Sequence, residues 1–155
     1  MKIQIDQSGK IEQTNKATVL CLSNKTWDTV FIKARTKRQI QEIFRRNGQT
    51  KNFVIFTFSA CLSLLIKRNL KHNQIFIDKE YYGKDAIIKE ILLEMLKQNK
   101  QIPEIHFANI GRQVKAHTRA YLTFTKKQKY KCLLSLKEIL TAIKKTEVGK
   151  RLKEA

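Results

Sequence analysis

The segment from Gln74 to Ile110 restricts the fold more than any other part of the chain. A short apolar run, Ile75-Phe76-Ile77, reads as a strand. After Gly83, the residues Ile87, Ile88, Ile91, Leu92, Met95 and Leu96 recur at helical spacing, and beyond Pro103 the stretch EIHFANI, Glu104 to Ile110, reads as a second strand. Strand, helix and strand in that order form a crossover, which joins parallel strands and is right-handed by default. An α/β fold is expected, with a sheet that is at least partly parallel.

Three more strands are expected before this unit: Lys2 to Asp6, Thr18 to Leu22 and Thr29 to Lys33. The separators Gln7-Ser8-Gly9, Asn15-Lys16 and Ser23-Asn24-Lys25 have turn chemistry, so an antiparallel meander is the economical arrangement. Gly9 either ends the first strand or bends one that continues through Lys10, Ile11 and Glu12. Thr36 and Gln39 have capping-box spacing for a short helix with Ile40, Ile43 and Phe44 inside and Arg35, Lys37, Arg38, Arg45 and Arg46 on its outer face. That basic face is either a phosphate-contacting stripe or simply a solvated surface.

Phe53 to Leu70 is the most apolar segment. It is short for a membrane span of about 20 residues and is interrupted by Thr57, Ser59 and Ser63, so it reads as a helix buried on most sides, with an extended start open at Phe53 to Phe56. Val114, Tyr121 and Phe124 lie near helical spacing. A second capping box, Ser135 with Glu138, opens a last helix with a stripe of Leu136, Ile139, Leu140 and Ile143. One domain over residues 1–147 is expected, followed by a charged tail over 148–155 that frays.

The chain has 32 Lys and Arg against 13 Asp and Glu, a net charge of +19, which makes a polyanion the natural partner. Nucleic acid, DNA or RNA, is the expected one; a membrane is not. Cys21, Cys61 and Cys132 lack the spacing of a zinc site or a disulfide framework, and five glycines leave little room for the glycine-rich loop of a transferase. The first residues contain no cleavable apolar stretch, so a cytoplasmic protein is expected.

With acids so scarce, their positions are informative. Asp6 ends the first strand, and Asp78 and Glu80 end the strand at Gln74. If these strands are neighbours, Asp6 meets Asp78 or Glu80 around a hard divalent cation, which prefers carboxylate oxygens. Otherwise Asp78 and Glu80 belong to an exposed loop, paired with Lys79 or Lys84. Tyr81 and Tyr82 next to them either stack on a base or pack the loop against the core. Trp27 is placed in a turn between strands, as an exposed contact or a lid on the sheet.

Over roughly Lys2 to Phe124, this order of strands and helices, with its strand-end acids, resembles the ribonuclease H-like superfamily. The resemblance implies a mixed five-stranded sheet with flanking helices, the first strand central and beside the fourth. The family's Asp on the first strand is matched by Ile5-Asp6-Gln7-Ser8-Gly9, and its acid at the end of the fourth by Ile77-Asp78-Lys79-Glu80. In the family these positions hold Mg²⁺ or Mn²⁺. A further acid or a histidine near the start of the last core helix commonly completes the site. No Asp or Glu lies between Ile105 and Phe124, so that place falls to His117, with Lys115 and Arg119 beside it. A histidine there binds metal or acts as a general base, and Lys115 would stabilise an attacking or leaving oxygen.

What the resemblance implies is a metal-dependent nuclease that hydrolyses phosphodiester bonds in structured nucleic acid: branched DNA, hybrid or RNA. Arg35, Arg38, Arg45, Arg46, Arg119, Lys126, Lys127 and Lys129 are the candidate nucleic-acid contacts, and a homodimer would suit a junction cutter. The alternative is a non-catalytic basic protein, ribosome-associated or packaging, which needs only the charge.

Overall fold

Alternation along the first strand divides the protein into two sides. In β1 (Ile3–Ser8), Ile3 and Ile5 enter the main hydrophobic core, while Gln4 between them and Asp6 beyond them turn to the opposite face. The computed structural model describes residues 3–111 and 115–154; Lys2 and Val114, assigned above to a strand and a helix, lie outside them.

The antiparallel meander forms as expected, with β2 (Thr18–Ser23) paired to β1 and β3 (Trp27–Ile32) paired to β2. α1 (Ala34–Arg46) follows, then a 3-10 turn at Thr50–Asn52 and α2 (Phe53–Lys67). The crossover is β4 (Gln74–Asp78), α3 (Asp85–Leu96) and β5 (Glu104–Ala108), with β4 parallel to both β1 and β5. The chain ends with α4 (Lys115–Phe124), β6 (Cys132–Leu133), α5 (Leu136–Ile143) and α6 (Glu147–Lys150).

The sheet is therefore mixed and six-stranded, in the order β5-β4-β1-β2-β3-β6. The strand beyond the expected five is β6, a two-residue piece parallel to β3 and too short for any alternation to reveal. Ile40 and Phe44 of α1, most of α2, the stripe of α3 and Ile139 of α5 pack with Ile3, Ile5, Leu20, Leu22, Val30 and Ile32 on one side of the sheet. α4 covers β1 and β2 on the other side, seated on the small buried residues Ala116, Ala120 and Thr123.

Several local expectations are corrected. α1 starts at Ala34, so Thr36 falls inside the first turn and no side chain caps the helix. Lys37 is not on its outer face. It is fully buried, and its Nζ donates to the Lys10 carbonyl at 3.0 Å, the Gln13 carbonyl at 2.8 Å and Thr18 Oγ1 at 3.0 Å, tying α1 to the β1–β2 connection. α2 is helical from Phe53, with no extended start, and Thr57, Ser59 and Ser63 are buried with it. The stretch Thr50–Lys67 is long and apolar enough to cross a membrane by composition, and in this fold most of it is buried as the core helix.

Trp27 is the first residue of β3, not a turn residue. Ile87 is half exposed, because α3 meets α2 through Ile88, Ile91, Leu92, Met95 and Leu96. Tyr121 is exposed too, since the small residues of α4 are the ones that face the sheet. Over its described residues the tail does not fray. Thr146 caps α6, Leu152 is buried, and Asn47 exchanges two hydrogen bonds of 2.9 Å with the Lys153 backbone. The capping box of Ser135 and Glu138 forms as expected, and all three cysteines are free thiols.

Candidate metal centre

The register of β1 against β4 builds the site. Ile5 pairs with Ile77, so the next residue on each strand, Asp6 and Asp78, stands side by side with the other at neighbouring strand ends. Ile5 and Ile77 point into the core on one face, and by alternation both acids point to the other. Glu80 reaches the same place from the loop after β4, and one carboxylate oxygen from each of Asp6, Asp78 and Glu80 lies within 4.8 Å of the others.

Each acid is held by its surroundings. Asp6 is only 3% exposed; the Gln7 backbone N–H donates to its Oδ1 at 2.9 Å, and His117 Nδ1 lies 2.6 Å from its Oδ2. Asp78 Oδ1 accepts from the Ile110 N–H at 2.7 Å, while the Lys79 N–H donates to the Ala108 carbonyl at 3.1 Å, so the loop leaving β4 is stitched to the end of β5. Tyr81 anchors the other side. Its hydroxyl receives the Ile11 N–H at 3.2 Å and meets the Gln7 carboxamide at 3.4 Å, and its ring packs edge-on to Phe58. Tyr81 is thus a core residue that fixes the loop bearing Glu80. Tyr82, its neighbour, is 99% exposed.

Three carboxylates in one partly dry place cannot all be ionised cheaply. Burial, reinforced by the adjacent Asp6 and Asp78 carboxylates, pushes Glu80 up to about 9. Burial also raises Asp6, against the pull of hydrogen bonds to Glu80, the Gln7 N–H and His117. A proton or a cation in the centre of the cluster would relieve that repulsion. Three hard carboxylate oxygens that converge at this spacing fit Mg²⁺ or Mn²⁺, with Asp6, Asp78 and Glu80 as the holding residues and His117 orienting Asp6 from α4.

Of the other candidates, the structure does not bring Lys115 to the acids. Two residues apart on a helix lie on opposite flanks, and Lys115 lines a groove with Trp27 and Arg119 on the flank away from His117. Lys126, Lys127 and Lys129 are exposed in the turn after α4. Arg35, Arg38, Arg45 and Arg46 sit on α1, behind the sheet from Asp6; Arg45 and Arg46 pair with Glu42, and Arg38 donates to the Thr14 carbonyl. Lys79 pairs with Asp85 at 3.7 Å instead of with the site acids. Sequence reading missed the supporting groups Gln7 and the Ile110 N–H, which carry no local signal, whereas for Tyr81 the second of its two expected roles, packing the loop against the core, is the one the structure shows.

Comparison with protein-family models, with curated proteins and with solved structures finds no match for this chain.

Proposed function

We propose that this protein is a divalent-metal-dependent nuclease of the ribonuclease H-like kind, acting on phosphodiester bonds of structured nucleic acid. The observation that supports it most is the convergence of Asp6, Asp78 and Glu80 within 4.8 Å, with His117 from the facing helix on Asp6. The sheet order adds support: the first strand is interior, antiparallel to the second and parallel to the fourth, as the resemblance requires.

Bound there, Mg²⁺ or Mn²⁺ would supply activation of water and neutralisation of charge on the leaving oxygen. The chain's own part is to hold and orient. The Gln7 and Ile110 N–H groups fix the carboxylates of Asp6 and Asp78, so their oxygens need no reorganisation when charge develops at a phosphate. Tyr81 keeps the Glu80 loop against the core. His117, 36% exposed at its side chain, links buried Asp6 to solvent and can carry a proton between them. The net charge of +19 draws the polyanion in.

The test is cleavage of labelled duplex, single-stranded, hybrid and branched substrates with Mg²⁺ or Mn²⁺ and with a chelator. Metal-dependent cutting by the wild type and none by Asp6→Asn is the expected result. Equal cutting by Asp6→Asn, or no cutting of any substrate, would overturn the proposal. The second outcome would favour the non-catalytic binder, which rests on the charge and on the want of a fourth acid among the described residues of α4.

A further inference from the structure

On the flank of α4 away from the acids lies a groove of about 370 Å³ between that helix and the β2–β3 turn. Its centre is Trp27. The Arg119 guanidinium carbon lies 5.0 Å from the ring centroid and Lys131 Nζ 4.1 Å from it, so two cations are placed over one indole. Both are also tied in position. Lys131 Nζ donates to the Trp27 carbonyl at 2.6 Å, and an Arg119 Nη1–H donates to Gln128 Oε1 at 2.7 Å. Lys25 and Lys115 line the same groove, and none of its lining residues is acidic. Asn24 lines the groove too, and its buried side-chain oxygen has no hydrogen-bond partner among the described residues.

Cations gathered without a neutralising carboxylate repel one another, and the fold holds these through the indole and two oxygen acceptors. An anion between them removes that repulsion. We infer that this groove binds the backbone of the nucleic-acid strand that also reaches the Asp6, Asp78 and Glu80 site, with Arg119, Lys25 and Lys115 on phosphate. The inference rests on the nuclease reading for what lies on the other flank of α4. It gives the strand a path: across one helix, about 10–12 Å wide, which is roughly three nucleotide steps at ~3.4 Å each.

Trp27 is the sole tryptophan of the chain, so its emission reports on this groove alone. The experiment titrates full-length protein, in chelator, with a labelled single strand of roughly 12 nucleotides, a length in the range such sites cover, and follows label anisotropy and Trp27 fluorescence together. The expected result is a saturable change in Trp27 emission with the same midpoint as the anisotropy. Arg119→Ala should bind about tenfold more weakly, with a salt slope smaller by about one. Lys25→Glu, an exposed turn variant that leaves α4 intact, should weaken binding likewise.

Trp27 emission that stays constant while anisotropy saturates would overturn the inference, as would wild-type affinity in both variants or no binding by the wild type at all. Because binding is read in chelator and cleavage separately with Mg²⁺ or Mn²⁺, a protein that binds in this way and cleaves nothing in the metal assay would refute the nuclease reading and leave the groove standing. Cleavage with silent Trp27 emission would do the reverse.

Discussion

Burial and then the Asp6 and Asp78 carboxylates raise Glu80 from 4.5 to about 9, so at pH 7 the cation-free cluster is expected to hold a proton there. A divalent cation that binds through these oxygens must displace that proton. The apparent affinity for Mn²⁺ should therefore rise about tenfold per pH unit from roughly pH 6 to 8 and level off above about 9. Stability follows the same linkage. The folded chain holds a proton that the unfolded chain has released, so without cation the protein loses stability as pH climbs from about 4.5 toward 9, by at most about 1.4 kcal/mol per unit and by less for a carboxyl partly open to water. Calorimetric titration with Mn²⁺ at pH 7, in two buffers of different ionisation enthalpy, should count close to one proton released per ion. In Glu80→Gln the count should fall toward zero and the binding should weaken. An affinity that is flat from pH 6 to 8, or a wild-type count near zero, would refute the reasoning.

Lys37→Met leaves Thr18 Oγ1 and two carbonyls without their buried donor; since the Lys10 and Gln13 carbonyls each retain one backbone donor, the loss should be roughly 2–4 kcal/mol in urea unfolding. Gly9→Ala should cost about 2–5 kcal/mol in the same assay, because Gly9 has φ +77° and an added Cβ would lie 2.3 Å from the Ala17 carbonyl oxygen and 2.5 Å from the Phe124 ring; a loss under about 1 kcal/mol would contradict the geometry. His117→Ala should slow cleavage by about 10²–10⁴-fold while melting within a few degrees of wild type, and an unchanged rate would remove His117 from the site.

The crossover was legible because helix and strand periods are long signals. Ile75 and Ile77 alternate, and the α3 stripe spans nearly three turns, so the parallel pairing and the meeting of Asp6 with Asp78 follow from sequence and topology. Lys37 was not legible. By composition it belongs with Arg35 and Arg38 on a basic helix face, and only the tertiary fold supplies the three oxygens that let an ammonium be buried. Lys115 misled for a related reason: nearness in sequence to His117 puts it on the opposite flank of a helix. The docked tail was hidden because its anchors are single residues, Thr146, Gly149 and Leu152, in an otherwise charged stretch. Trp27 and Lys131 are 104 positions apart, and nothing local joins them.

A protein with net charge +19 gathers three of its 13 acids at one point, which on the nuclease proposal puts a negative spot on the path of the strand. Without a cation that spot would repel phosphate, and the proposed basic groove beyond α4 would have to hold the strand against it. Removing one charge there should therefore strengthen metal-free binding even as it abolishes cleavage. For a phosphate about 5 Å from Asp6, Coulomb's law gives roughly 1 kcal/mol in a water-like medium and more in a drier one, so Asp6→Asn should bind a labelled strand about fivefold more tightly than wild type in chelator at low salt. The gain should shrink as salt is added. It should vanish or reverse when Mg²⁺ is present, because the wild type then offers phosphate a cation that the variant holds poorly. Weaker binding by Asp6→Asn in chelator would mean that the acids do not face the strand, and the cluster would then be an internal ion-pairing feature instead of a catalytic one.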